Sequence, residues 1–147
     1  MECINLFTIG FTKKSAEDFF TLLKKNKVKK LIDVRLNNIS QLAGFTKKDD
    51  LRYFLKQICD IDYYHISEFA PTEDILKRYK NKYIKWEQYE KEFMVLMKQR
   101  KIENQIKLDF LNNSCLLCSE STAENCHRRL VAEYFASIFS QIRIKHL

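Results

Sequence analysis

Between Cys118 and Arg129 the chain gathers two thiols (Cys118, Cys126), the Glu120 carboxylate, the His127 imidazole and the guanidiniums of Arg128 and Arg129. A thiol at a helix start beside arginines has a lowered pKa and becomes a nucleophile. That places Cys126 against Arg35 or Arg128 as the expected low-pKa thiol, with Cys118 in the preceding loop. Glu120 is a candidate general acid or base, and His127 completes the candidate catalytic set. The spacing also lets Cys118 and Cys126 meet as a redox pair. Cys-x2-Cys occurs only at Cys115 and Cys118; on a strand, positions i and i+3 point to opposite faces, so those two do not cooperate. The Cys-x5-Arg loop of thiol phosphatases is absent, because Glu124 stands where the arginine would be. Cys118, Cys126 and His127, with His65, have the donor types of a soft metal site. Adjacent residues on one helix diverge by about 100°, however, so Cys126 and His127 are a poor ligand pair and no metal is expected.

The elements must bring these groups together. Ser114–Cys118 is a short apolar run, the mark of a buried strand; Ser119–Thr122 are turn and cap residues; a helical spacing of apolar residues follows from Ala123 to about Ser140. Upstream, Ile4–Ile9 reads as a first strand ended by Gly10-Phe11-Thr12, and Ser15 caps a helix carrying Phe19, Phe20, Leu22 and Leu23. Val28–Val34 is a second strand with Asp33 and Arg35 at its carboxyl end, followed by a polar loop over 36–46. Thr46 caps a helix from Lys47 to Cys59 with Leu51, Phe54, Leu55 and Ile58 facing in. Ile61–Ile66 is a third strand ending near His65, Thr72 caps a short helix to Lys80, and a longer helix runs from Ile84 to Ile102. The aromatic and basic tract from Tyr79 to Lys101 suits base stacking and phosphate neutralisation. Its near-helical spacing of Tyr79, Tyr83, Trp86, Phe93 and Met97 favours packing instead. Gln141–Leu147 is a last short strand.

Strands alternating with helices predict an α/β fold: a single domain over 1–147, with a mostly parallel sheet flanked by helices on both faces in a Rossmann-like three-layer arrangement. In such sheets ligands bind outside the carboxyl ends of the strands. That edge collects Gly10 and Thr12, Asp33 and Arg35, His65, and Cys118 with Glu120; the helix start adds Cys126, His127 and Arg128. The net charge of +7 points to an anionic partner, nucleotide or nucleic acid. Five cysteines without small-scaffold spacing predict free thiols in a reducing cytoplasm. There is no signal-peptide pattern and no apolar run near the roughly 20 residues of a membrane span, so no membrane partner is expected.

Three motifs carry a family resemblance. Thr8-Ile9-Gly10-Phe11-Thr12, Asp33-Val34-Arg35, and Leu117-Cys118-Ser119-Glu120 with Cys126-His127-Arg128 resemble the T-I-G-[aromatic or His]-[Ser or Thr], D-V-R and L-C-x-E…C-H-R motifs of the DUF488 family, small α/β proteins of uncharacterised function. Phe11 stands where other members often have His or Tyr, and Glu68–Thr72 replaces a glycine-rich loop. The resemblance implies the fold and the location of a site, and no reaction or cofactor.

The groups themselves support a small enzyme acting on a phosphate-bearing substrate, with Cys118, Glu120, Cys126 and His127 in catalysis. Gly10, Thr12, Asp33, Arg35, His65 and Arg128 would bind the substrate: Gly10 by close backbone approach, the arginines as planar forks for phosphate. The alternative is a non-catalytic nucleotide- or nucleic-acid-binding module using the same anion pocket.

Overall fold

The structure, a computed structural model, describes residues 3–37, 44–120 and 122–147. Strands β1 (Ile4–Gly10), β2 (Lys30–Asp33), β3 (Asp62–His65), β4 (Ser114–Cys118) and β5 (Ile142–His146) form one sheet in the order β3-β2-β4-β1-β5. Every neighbouring pair is parallel. The helices are α1 (Ala16–Lys25), α2 (Lys48–Phe54), α3 (Glu73–Lys80), α4 (Trp86–Arg100), α5 (Leu108–Leu111) and α6 (His127–Ile138).

The central strands are apolar on both faces, as a sheet covered twice requires: all five residues of β4 are buried, and so are all of β1 except Asn5. Strand alternation then splits the core in two. Phe7, Ile9, Leu31, Cys115 and Leu117 pack against Phe19, Phe20 and Leu23 of α1 and Leu51 of α2. Leu6, Ile32, Leu116 and Cys118 pack on the other face against Ile75 of α3, Phe93 and Met97 of α4, and Leu130, Val131 and Phe135 of α6. Cys115 and Cys118 therefore lie on opposite faces. The three-layer expectation holds.

This topology fixes where a crevice opens. β1 and β4 are neighbours, yet the chain leaves β1 for α1 on one face and leaves β4 for α6 on the other. Loops diverging from adjacent parallel strands leave a gap at their carboxyl ends.

Local signals are met at two caps: Ser15 Oγ accepts from the Asp18 amide at 3.0 Å, and Thr72 Oγ1 from the Ile75 amide at 3.2 Å. Other expectations need correcting. Thr46 does not cap α2; it is buried in the short 3-10 turn Gly44–Thr46, and Lys47 holds the cap position. The helix continues from Leu55 to Cys59 with π spacing. The wider turn shifts the side-chain phase, and Ile58 is 45 % exposed instead of facing in. Tyr83 falls between α3 and α4 and is exposed. Of the loop expected over 36–46, residues 38–43 lie outside the described residues, as does Ser121 of the turn before α6. No helix among the described residues is long and apolar enough to cross a membrane.

Candidate functional site

Gly10 and Cys118 are the last paired residues of β1 and β4. A Cβ on Gly10 would lie 1.5 Å from the Glu120 carbonyl oxygen, 2.6 Å from its carbon and 2.9 Å from Arg128 Nη1. Glycine is needed here so that the chain's own loop can cross the end of β1. The expectation that it admits a ligand is corrected: Glu120 fills that space.

Arg128 holds this loop from beneath. It is 1 % exposed. Its Nη1 donates to the Glu120 carbonyl at 2.7 Å and lies 3.3 Å from Cys118 Sγ, while Nε reaches Thr8 Oγ1 at 3.3 Å. Burial draws its pKa down to about 10, leaving it charged at neutral pH. The guanidinium expected to bind substrate is spent on the protein's own loop, and it sits beside Cys118 rather than Cys126.

Asp33 is likewise internal. Its carboxylate is 0 % exposed. It accepts from Arg35 Nε at 2.9 Å, Arg35 Nη2 at 2.7 Å and the Tyr63 hydroxyl at 2.6 Å. Arg35 Nη2 also donates to the Thr46 carbonyl at 2.7 Å, and the guanidinium lies 5.3 Å from the Phe11 ring centre. One group is left over: Arg35 Nη1 is buried with no hydrogen-bond partner among the described residues. His65 is exposed and donates from Nε2 to the Arg35 carbonyl at 2.8 Å.

Cys118 and Cys126 are joined as a disulfide; Cys3, Cys59 and Cys115 are free. The low-pKa thiol expected at Cys126 is therefore absent from this oxidised state. Cys126 is the N-cap of α6, with extended backbone (φ −133°, ψ 138°), and His127 is the first helical residue. The 100° divergence assumed for two helical neighbours does not apply to this pair. Instead Cys118, Cys126 and His127 place their donor atoms within 4.8 Å of one another. His127 donates from Nε2 to the Val34 carbonyl at 2.6 Å. Burial lowers its pKa to about 4, so the ring is neutral and Nδ1 keeps its lone pair.

These residues border a cleft of about 260 Å³. Its lining includes Arg35, Cys118, Glu120, Cys126 and His127, together with Tyr79, Lys80, Trp86 and Tyr89 from α3 and α4. Trp86 and Tyr89 stack at 4.9 Å between ring centres, with Tyr79 5.0 Å from Tyr89. Half of the expected set thus meets at the cleft. Thr12 (exposed, its amide on the Ser119 carbonyl at 3.0 Å), His65, Asp33, Gly10 and Arg128 do not border it. The aromatic wall and Lys80 were not chosen from sequence as site residues, although the aromatic and basic tract that supplies them stands out there. Its lower part, Phe93 and Met97, is core, and only its upper end turns to the cleft.

Fold and lining define a parallel α/β protein with a cleft at the carboxyl edge of its sheet. The chain belongs to the DUF488 family, the family described as a domain of unknown function, whose model matches residues 15–135. The chain matches no curated protein and no solved structure.

Proposed function

We propose that the protein is a small enzyme whose cleft takes a phosphate-bearing, aromatic ligand, a nucleotide either free or within nucleic acid. Its chemistry comes from the Cys118–Cys126 pair in the reduced state, as a reducing compartment would keep it. The observation that carries this reading is the meeting, in one cleft, of the aromatic residues Tyr79, Trp86 and Tyr89 with Arg35 and Lys80 and the two sulfurs. Base-on-aromatic stacking contributes about 1–3 kcal/mol per base. A buried N–H without a partner is costly, and an anionic oxygen reaching Arg35 Nη1 would relieve that cost. Glu120 is exposed at the same cleft, where a carboxylate can exchange protons with a ligand and with solvent. Arg128 Nη1 beside Cys118 Sγ favours its thiolate once the disulfide opens.

The test is conversion of ligand. Reduced protein is incubated with nucleoside mono-, di- and triphosphates and short single-stranded oligonucleotides, and the products are separated by chromatography. The reading expects conversion of at least one class, lost on Cys118→Ser and reduced on Glu120→Gln. Saturable binding with no conversion of any class would replace the enzyme by a non-catalytic binding module. Absence of both would remove the nucleotide reading.

A further inference from the structure

We propose that, once reduced, Cys118, Cys126 and His127 form a three-ligand site for a soft divalent ion of the zinc type, with its remaining position open to the cleft. The inference deepens the reading of the cleft as a reactive site, but it stands on the ligands alone.

Four observations support it. First, two thiolates and an imidazole are the donors that tetrahedral zinc prefers. Their donor atoms already lie within 4.8 Å of one another. Zn–S bonds of about 2.3 Å in a tetrahedron require sulfurs about 3.7 Å apart, so small side-chain rotations suffice. Second, the Cα atoms of Cys118 and Cys126 are 7.6 Å apart. Once the S–S bond opens, the two side chains can part across that span and take an ion between their sulfurs.

Third, His127 is held as metal-binding histidines are. Its Nε2–H donates to the Val34 carbonyl at 2.6 Å, which fixes the ring and leaves Nδ1 as the ligand atom. Arg128 Nη1, 3.3 Å from Cys118 Sγ, supplies a matching outer hydrogen bond to a thiolate. Fourth, all three residues border the cleft, as does Glu120. Three protein ligands with an open fourth position are the pattern of reactive zinc sites rather than structural ones. The open position would take water or a phosphate oxygen of the ligand, with Glu120 beside it.

The site is redox-gated by its own chemistry. In the oxidised chain the Cys118–Cys126 S–S bond leaves no thiolate at this site to bind an ion. A thiol reductant breaks that bond by two-electron exchange: two cysteine thiols form and the reductant becomes its own disulfide. Each cysteine then releases a proton as the ion binds.

The probe is Co(II), added to protein that has been reduced with dithiothreitol and desalted under nitrogen, with no nucleotide present. The expected result is a thiolate-to-cobalt charge-transfer band in the near ultraviolet and tetrahedral d–d bands in the visible. Both should saturate at one ion per chain and be bleached by Zn(II). Cys118→Ser and Cys126→Ser should each remove most of the charge-transfer band, and His127→Ala should weaken binding at least about 10-fold. Cys115→Ser should leave the spectrum unchanged. Oxidised wild type, which keeps the fold and the free Cys3, Cys59 and Cys115 but has no thiolate at this site, should give no saturable one-ion bands; this arm decides the question if His127→Ala does not fold. Reduced protein without saturable bands, or bands that persist in Cys126→Ser or in the oxidised chain, would overturn the site. Nucleotide conversion plays no part in this readout, so the two readings can fail separately.

Discussion

Gly10→Ala is a demanding perturbation because the clash it makes can be worked from backbone geometry. The new methyl would sit 1.5 Å from the Glu120 carbonyl oxygen and 2.6 Å from its carbon, both main-chain atoms. Contacts below about 3 Å with backbone are not relieved by turning a side chain, so the loop after β4 must move. Overpacking costs roughly 1–3 kcal/mol. Moving the Glu120 carbonyl also loses the 2.7 Å hydrogen bond from buried Arg128, and hydrogen bonds to charged groups contribute about 1.5–3 kcal/mol. Together these give about 3–5 kcal/mol of destabilisation. With a urea m-value of about 2 kcal/mol/M, the unfolding midpoint should fall by roughly 1.5–2.5 M at unchanged m. The sequence has just one other glycine, and it supplies the control. Among the described residues, a Cβ on Gly44 meets nothing within 4 Å and no glycine has positive φ. Gly44→Ala should therefore be neutral or stabilising by up to about 1 kcal/mol. Equal midpoints for the two variants would refute the claim that Gly10 exists to let Glu120 pass.

Asp33→Asn should cost about 3–5 kcal/mol in chemical denaturation, because it leaves the 5 % exposed Arg35 without its counter-charge; a loss under 1 kcal/mol would mean the pair is dispensable. His146 has its pKa lowered by burial and by Arg128. Below about pH 6.5 the unfolded chain therefore binds more protons than the folded one. Stability should fall as pH drops from there toward the folded-state pKa, and His146→Gln should flatten that slope; an unchanged slope contradicts it. In the oxidised native chain, Ellman's reagent should react quickly with exposed Cys3 and slowly with half-buried Cys59. It should not react with Cys115, whose thiol pKa burial raises, until the chain unfolds; a Cys115 as fast as Cys3 would mean that β4 is not buried.

The layers of this fold are legible because hydrophobic periodicity reports burial directly. Ser114–Cys118, apolar after Ser114, is buried throughout and proves to be the central strand, and the caps at Ser15 and Thr72 follow from local hydrogen-bonding chemistry. The meeting of the DVR segment, the Cys118 loop and the α6 start is legible too, since each ends a strand or begins the next helix. What sequence does not reveal is which polar groups are consumed inside the protein. Arg35 and Arg128 look alike in one dimension. Arg35 borders the cleft, whereas Arg128 is closed off by Thr8, Cys118 and the Glu120 carbonyl. The Cys126–His127 pair differs from its sequence reading for a related reason: α6 begins at His127 instead of Ala123, which turns two diverging helical side chains into a cap and a first turn whose donor atoms lie close together. The aromatic wall of the cleft was hidden by its own periodicity, because Tyr89 is both a core residue and a lining residue.

Binding in the cleft can be followed without a label, because Trp86, the chain's one tryptophan, lines it. Reduced protein is titrated at low salt with nucleoside monophosphates, the matching nucleosides and inorganic phosphate, and indole fluorescence is followed. The account predicts saturable quenching by at least one monophosphate. The same nucleoside without phosphate should bind at least about 10-fold more weakly, a loss of about 1.4 kcal/mol. Exposed Lys80→Ala should weaken the quench while leaving the melting temperature near wild type. Fluorescence that responds to no monophosphate at millimolar concentration, or that responds equally to nucleoside and nucleotide, would contradict the cleft as a site for phosphate-bearing ligands.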